Sequence, residues 1–329
     1  MSLRRLCWVV AGCVLMTACA SRLDAPTTRA MHAVAVAPGV YLVRGAAGEV
    51  DGVNLGRVGN AGFIVGSRGV LAIDTGTSYQ DGQALLSRIA ELTDLPVRAA
   101  LITHTRQEFL FGTTAFQQRG IPIYMHTDAA GLMASRCDNC LKTLRRALGE
   151  APMQGSAMFT PDVRFSIPPG PLPRADPALD ARLSALIGRP VQVMYFGHSS
   201  GPGDVAVLDT TTRTLFAGGL LDQDRIPDVQ DSDLAGWFAA LASLRGLGLA
   251  HVIPGHGPAA TASVIDADQR YLTELKARLA TLLADGASLS EVPDATELGD
   301  FSRWDQYDTV HRRNASVVFL RLEREQLYK

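Results

Sequence analysis

Four strand-length runs in this 329-residue chain each break off at a glycine or a histidine, and that repetition constrains the fold more than any other feature. Residues 70–73 end at Asp74-Thr75-Gly76, and residues 99–102 at Thr103-His104. Residues 191–196 end at Gly197-His198, and residues 251–253 at Pro254-Gly255-His256-Gly257. Short, largely apolar runs of this length are buried strands, and polar turns at their ends aim side chains from a rigid scaffold. Further strands are expected at 40–43, 61–65, 121–124, 204–208 and 214–217, with hairpin signals at 66–69 and between the last two. Helical spacing of apolar residues covers 79–92, 128–148, 232–245 and 261–284, and the tail to residue 329 is mostly helical. Residues 168–178 are Pro-rich and irregular. Strands in hairpins followed by strands alternating with helices predict an α/β chain: two mixed sheets face to face, helices outside.

Hydrophobic residues at 47% and charged residues at 19% supply a sizeable core and exclude global disorder. A net charge of −2 and 6% aromatics argue against nucleic acid as a partner, because that affinity rests on excess cations and stacking rings. At the N-terminus, Arg4 and Arg5 precede an apolar run of 13 residues, 6–18, too short to span a bilayer as a mature helix. The run closes on Met16-Thr17-Ala18-Cys19, which resembles the lipobox of bacterial lipoproteins. The resemblance implies a signal peptide over 1–18, lipidation of Cys19, a tether over 19–36 and export to the periplasm. Ala20 after the cysteine implies an anchor in the outer membrane. An ordinary secretory signal cleaved nearby is the alternative, and it exports the chain as well. Cys137 and Cys140 then form an even pair in an oxidising compartment, read as a small-loop disulfide. A redox couple and half of a zinc site are the other readings of that pair.

His104, His198 and His256 each follow a buried strand within one or two residues. Neutral imidazole is a common zinc ligand, so three histidines at strand ends are a candidate metal set. Ser199 and Ser200 follow a histidine without a Gly-x-Ser-x-Gly elbow, so a serine hydrolase has no support.

With Asn60-Ala61-Gly62-Phe63-Ile64, Ile73-Asp74-Thr75-Gly76, Ile102-Thr103-His104, Gly197-His198-Ser199, Leu215-Phe216-Ala217-Gly218 and Pro254-Gly255-His256-Gly257 in order, the chain resembles the metallo-β-lactamase superfamily. The resemblance implies a four-layer αββα sandwich over 37–265 with the site at one rim, and a C-terminal helical extension over 266–329. The tail Trp304-Asp305-Gln306-Tyr307-Asp308 with His311-Arg312-Arg313-Asn314 is similar to a narrower group: exported zinc metallohydrolase-like proteins of quinoprotein and sulfur-oxidation systems. His311 is expected on a helix surface. Asp74 resembles the structural aspartate that orders the active-site loop through backbone hydrogen bonds.

The departures from that pattern bear directly on function. The superfamily's His-x-His-x-Asp-His reads here His104-Thr105-Arg106-Gln107-Glu108-Phe109, and Gly219 stands where a metal-bridging aspartate is expected. Arginine offers no lone pair, phenylalanine donates nothing, and glycine leaves a gap. The two-zinc hydrolase is therefore not expected. One reading keeps a single zinc on His104, His198, His256 and Glu108, with Glu108 as ligand or base and a metal-activated water that attacks an ester, thioester or amide. The other is a catalytically retired, periplasmic binding or accessory protein in which Arg106 holds an anion through its planar fork. A small-molecule substrate or anion and the membrane are the expected partners; no protein partner is specified by the sequence.

Overall fold

A computed structural model describes residues 31–168 and 170–328. The expected signal peptide, Cys19 and the tether up to residue 30 lie outside the described residues. The first sheet grows in sequence order. β1 (Ala33–Ala37), β2 (Val40–Val43), β3 (Ala61–Val65) and β4 (Val70–Ile73) pair antiparallel. After α1 (Tyr79–Leu92), β5 (Val97–Ile102) pairs parallel with β4. The short α2 (Gln107–Leu110) and α3 (Thr113–Gln117) lead to parallel β6 (Ile123–His126). Then α4 (Thr127–Leu148) and α5 (Glu150–Met153) lead to parallel β7 (Val163–Phe165). The tight turns between β1 and β2 and between β3 and β4 permit only antiparallel return, whereas each parallel neighbour is reached through a helical crossover.

The second sheet has the order β12-β11-β10-β9-β8. It is built from β8 (Arg174–Ala175), then, after α6 (Pro177–Ile187), β9 (Val191–Tyr195), β10 (Val205–Asp209) and β11 (Thr214–Asp222). α7 (Leu234–Arg245) carries the chain to β12 (His251–His256), which lies parallel to β11. α8 (Ser263–Ala284), the single-turn α9 (Val292–Ala295) and α10 (Arg312–Leu327) complete the chain. The caps follow local chemistry: the Ser78 side chain accepts from the Asp81 amide, Asp176 from Ala178 and Asp233 from Ala235.

Three apolar clusters define the layers. Ile64, Leu71, Leu101, Val193, Val207 and Phe216 fill the space between the sheets. α1, α3 and α4 cover the outer face of the first sheet through Leu85, Phe116, Met133 and Leu144. α7, α8 and α10 cover the second through Trp237, Leu241, Tyr271, Leu275 and Phe319. The result is the expected αββα sandwich with a C-terminal helix. The residue 265/266 boundary falls inside α8, whose apolar face shares the core of the second sheet with α10. β1 lies partly in the stretch expected as tether, where its alternating Ala/Val pattern pairs with β2.

Asn60 latches the two sheets at one rim. Its Nδ2 donates to the carbonyls of Pro254 (2.9 Å) and Gly257 (2.8 Å), its amide to Gly255 O (2.8 Å), and its Oδ1 accepts from the Gly45 amide (2.9 Å).

Candidate functional site

The C-terminal ends of β5, β11 and β12 contribute to a rim cleft of about 740 Å³. His104, Arg106, Glu108, Asp204 and His256 line it. One face of α4, including Leu132, Arg136 and Cys140, forms a wall, and Arg313 from α10 reaches the opposite side.

At the end of β4, Asp74 sits at φ +56° and accepts from the amide (2.9 Å) and hydroxyl (2.8 Å) of Thr103, which follows β5. Thr103 Oγ1 also lies 2.7 Å from His104 Nδ1. Burial raises the Asp74 carboxyl to about 7 against these hydrogen bonds. His104 is 2% exposed, and its Nε2 has no hydrogen-bond partner. Burial, with the Arg106 cation beside it, lowers this imidazole to about 3, so it is neutral at physiological pH.

The end of β12 has the opposite electrostatics. His256 Nδ1 lies 2.7 Å from Asp222 Oδ1, and its Nε2 lies 3.3 Å from Glu108 Oε1. Burial works against the imidazolium, but Asp222 and Glu108 outweigh it and raise His256. The partners respond in kind. Burial opposes ionisation of Glu108, yet the hydrogen bond and charge of His256, with Arg106, bring it down to about 2. Asp222 is likewise lowered, burial being overcome chiefly by His256. Behind this pair, the Asp222 amide donates to Asp268 Oδ2 (2.8 Å), and burial beside the Asp222 charge raises Asp268 well above the usual carboxylate range. Burial thus favours the neutral form of Asp268 beneath the Asp222–His256–Glu108 relay.

Arg106 donates from Nη2 to the Asp228 carbonyl (2.9 Å), while its Nη1 stays 3.7 Å from the Asp228 carboxylate. That carboxylate accepts instead from Arg313 at 2.7 Å. Burial opposes the Arg106 charge, but Asp228, Asp222, Glu108 and Asp204 outweigh it and hold the guanidinium charged. Arg106 pairs with neither Glu108 nor Asp74 within hydrogen-bonding range.

The zinc set does not assemble. His198 is exposed, follows Gly197 at φ +79°, places its Nε2 2.7 Å from the Asp231 carbonyl, and is not itself among the residues that line the cleft. It is not brought together with His104 and His256. Phe109, fully buried, lies against both remaining imidazoles, with ring centroids 4.3 Å from His104 and 5.3 Å from His256. A Cβ at Gly219 would meet Ser200 Oγ at 2.7 Å and His104 Cδ2 at 2.8 Å, so the place of a bridging aspartate is filled. Both nitrogens of His256 face carboxylates, which favours protons over metal on that ring. Among the described residues, no three His, Cys, Asp or Glu side chains are arranged to hold a metal ion. These residues do not fit a zinc ion.

Cys137 and Cys140 are free thiols 2.9 Å apart, not the expected disulfide, for which the sulfurs would stand about 2.05 Å apart. His311 is buried, not on the surface: its Nε2 lies 2.7 Å from the Thr296 carbonyl and its Nδ1 3.0 Å from the Tyr271 hydroxyl. Asp204 escaped the sequence reading. Its Oδ2 accepts from Ser199 Oγ (2.9 Å), Ser200 Oγ (2.7 Å) and the Gly201 amide (2.8 Å), which the Ser-Ser-Gly-Pro-Gly-Asp turn could have signalled.

No family model matches the sequence, and no curated protein matches it. Solved structures do match. A metallo-β-lactamase from Pontibacter korlensis aligns at a TM-score of 0.57 and 21% identity, covering 74% of this chain and 99% of its own. The metallo-β-lactamase FIM-1 from Pseudomonas aeruginosa, in its mono-zinc form, aligns at 0.55 and 19% identity, covering 74% and 95%. The fold of this chain is therefore that of the metallo-β-lactamases.

Proposed function

We propose that this chain is a metallo-β-lactamase-fold protein that has exchanged a metal centre for a salt-bridged cleft, and that it binds a small anionic molecule on Arg106. The observation that carries the reading is the Phe109 ring set against both His104 and His256, with His198 turned out of the cleft. A phenyl ring supplies no ligand and excludes water from the neighbourhood of both imidazoles. Three positive groups then serve where one ion would. His256 is neutralised by its two carboxylates, Arg313 by Asp228, and Arg106 keeps unused N–H donors because it engages Asp228 chiefly through one carbonyl contact. A guanidinium with free donors at a cleft wall suits a carboxylate or phosphate.

The test has two arms. The purified chain, incubated with excess zinc and desalted, is expected to carry no stoichiometric zinc by mass spectrometry. A panel of phosphate, acetate and dicarboxylates, followed by calorimetry, is expected to yield a binder whose affinity falls at least about tenfold in Arg106→Ala, a change of about 1.4 kcal/mol. One zinc per chain, lost in His104→Ala and His256→Ala, would restore the hydrolase reading and defeat this one.

The same reading assigns the protein to the cell envelope as a lipoprotein, supported by the basic Arg4-Arg5 start, the apolar run and Met16-Thr17-Ala18-Cys19. Fatty-acid labelling of the expressed chain, abolished by Cys19→Ala, is the expected result. Labelling that survives Cys19→Ala, or none in the parent chain, would remove the anchor.

A further inference from the structure

The cleft wall carries a pair of groups that anion binding does not use. α4 presents Leu132, Arg136, Cys140, Thr143 and Ala147 to the cleft along one face, the spacing of successive helical turns. Cys140 is half-buried on that face, and Cys137 is 1% exposed, packed into the core of the first sheet. Their sulfurs stand 2.9 Å apart, closer than a van der Waals contact and longer than a bond. One sulfur is reachable from the cleft, and the other is already in place behind it.

We propose that Cys137 and Cys140 form a reversible dithiol–disulfide site on the cleft wall. The co-reactant is a disulfide, from a small molecule or from a thiol–disulfide oxidoreductase. The Cys140 thiolate attacks one sulfur of the incoming disulfide and expels a thiolate, giving a mixed disulfide at Cys140. The Cys137 thiolate then attacks the Cys140 sulfur and expels the second thiolate. Two thiol protons and two electrons leave the protein, and the incoming disulfide is reduced to two thiols. Cys140 attacks because it is accessible, and Cys137 resolves because it is buried against it.

Two features favour a labile bond over a structural one. The ring closes across only three residues of a helix that already holds the sulfurs together, so it removes little freedom from the unfolded chain. Its effect falls on the cleft instead. Arg136, beside Cys137, pairs with Asp231 on the facing loop, and both line the cleft. Tightening the Cys137–Cys140 turn therefore moves the residue that straps α4 to the opposite wall. A zinc role for the pair lacks further donors among the described residues.

The experiment equilibrates the full chain in glutathione buffers of graded oxidation, quenches with acid, alkylates, and maps peptides covering residues 137–140. The expected result is joint, reversible loss of both thiols over a defined range of ratios. Cys137→Ser should stall with glutathione on Cys140, and Cys140→Ser should take up none at Cys137. Hydrogen exchange on the oxidised parent chain is expected to change in α4 and around Asp231. Thiols that stay reduced in fully oxidised glutathione overturn the proposal. So does a disulfide that excess dithiothreitol leaves intact in the folded protein, or an adduct on Cys140 that the parent chain never resolves.

Discussion

The strand ends that carry His104 and His256 lie on either side of Phe109, yet their surroundings shift the two imidazoles in opposite directions. His104 is buried, tied only to Thr103, and lowered to about 3. His256 is just as buried, but Asp222 and Glu108 raise it above its ordinary value. Two imidazoles that share an ion must both present a lone pair. Here one is a base without an acidic partner in a dry corner, and the other is sandwiched between two carboxylates that favour its protonated form. The neighbours of the two rings, Thr103 and Arg106 on one side and Asp222 with Glu108 on the other, drive the two histidines apart.

Removing one side of the sandwich should show this most strongly. Asp222→Asn leaves a buried, poorly compensated set of charges and is expected to destabilise the fold by about 3–5 kcal/mol in chemical denaturation. A loss below about 1 kcal/mol would mean that the relay contributes little to the folded state. Gly219→Ala acts on the His104 side. Its Cβ would press on Ser200 Oγ and His104 Cδ2, and overpacking of this kind costs about 1–3 kcal/mol. A neutral outcome would show that this corner has room after all.

A gentler probe is pH. Glu108, lowered to about 2, contributes stability that is present above its ordinary value and lost as pH falls toward about 2. His256 is raised, so its contribution is full below its ordinary value and lost as pH rises through the raised one. His104 adds an acid-side penalty, because the unfolded imidazole takes up a proton that the buried ring refuses down to about 3. Stability should peak between these limits, and in Asp222→Asn the alkaline shoulder should move toward lower pH. An unchanged profile would detach His256 from Asp222. The smallest perturbation is none: nitrogen NMR of the imidazoles should find His104 neutral at physiological pH and His256 keeping its second proton to higher pH than His104. Matching charge states on the two rings would dissolve the contrast.

Much of the fold was legible because apolar runs and turn residues mark strands locally. Residues 40–43, 61–65 and 70–73 are strands with the bounds read from sequence. β8, two residues long, and the π-helical turn Tyr307–His311 have no local signature, since pairing and packing create them. The cleft was legible in part. His104, Arg106, Glu108 and His256 do converge, because each follows a strand whose direction the pattern revealed. His198 does not, because the left-handed turn at Gly197 decides where it points, and spacing does not encode that turn. Asp268 became important only through its contact with Asp222 over 46 positions. The Cys137–Cys140 pair was found by spacing, but its chemical state was not.

The contact between α10 and the cleft has a consequence for how the protein is made. Arg313 holds Asp228, Asn314 donates to the Pro227 carbonyl and accepts from the Val229 amide, and Asp305 binds the Gly48 amide from 257 positions away. Synthesis runs from the N-terminus, so both sheets can emerge before these last segments do. The Arg313 side of the cleft is thus the last part of the molecule to be completed, and a chain released a few dozen residues early would lack the contacts that hold Asp228 and part of the apolar cover of its second sheet.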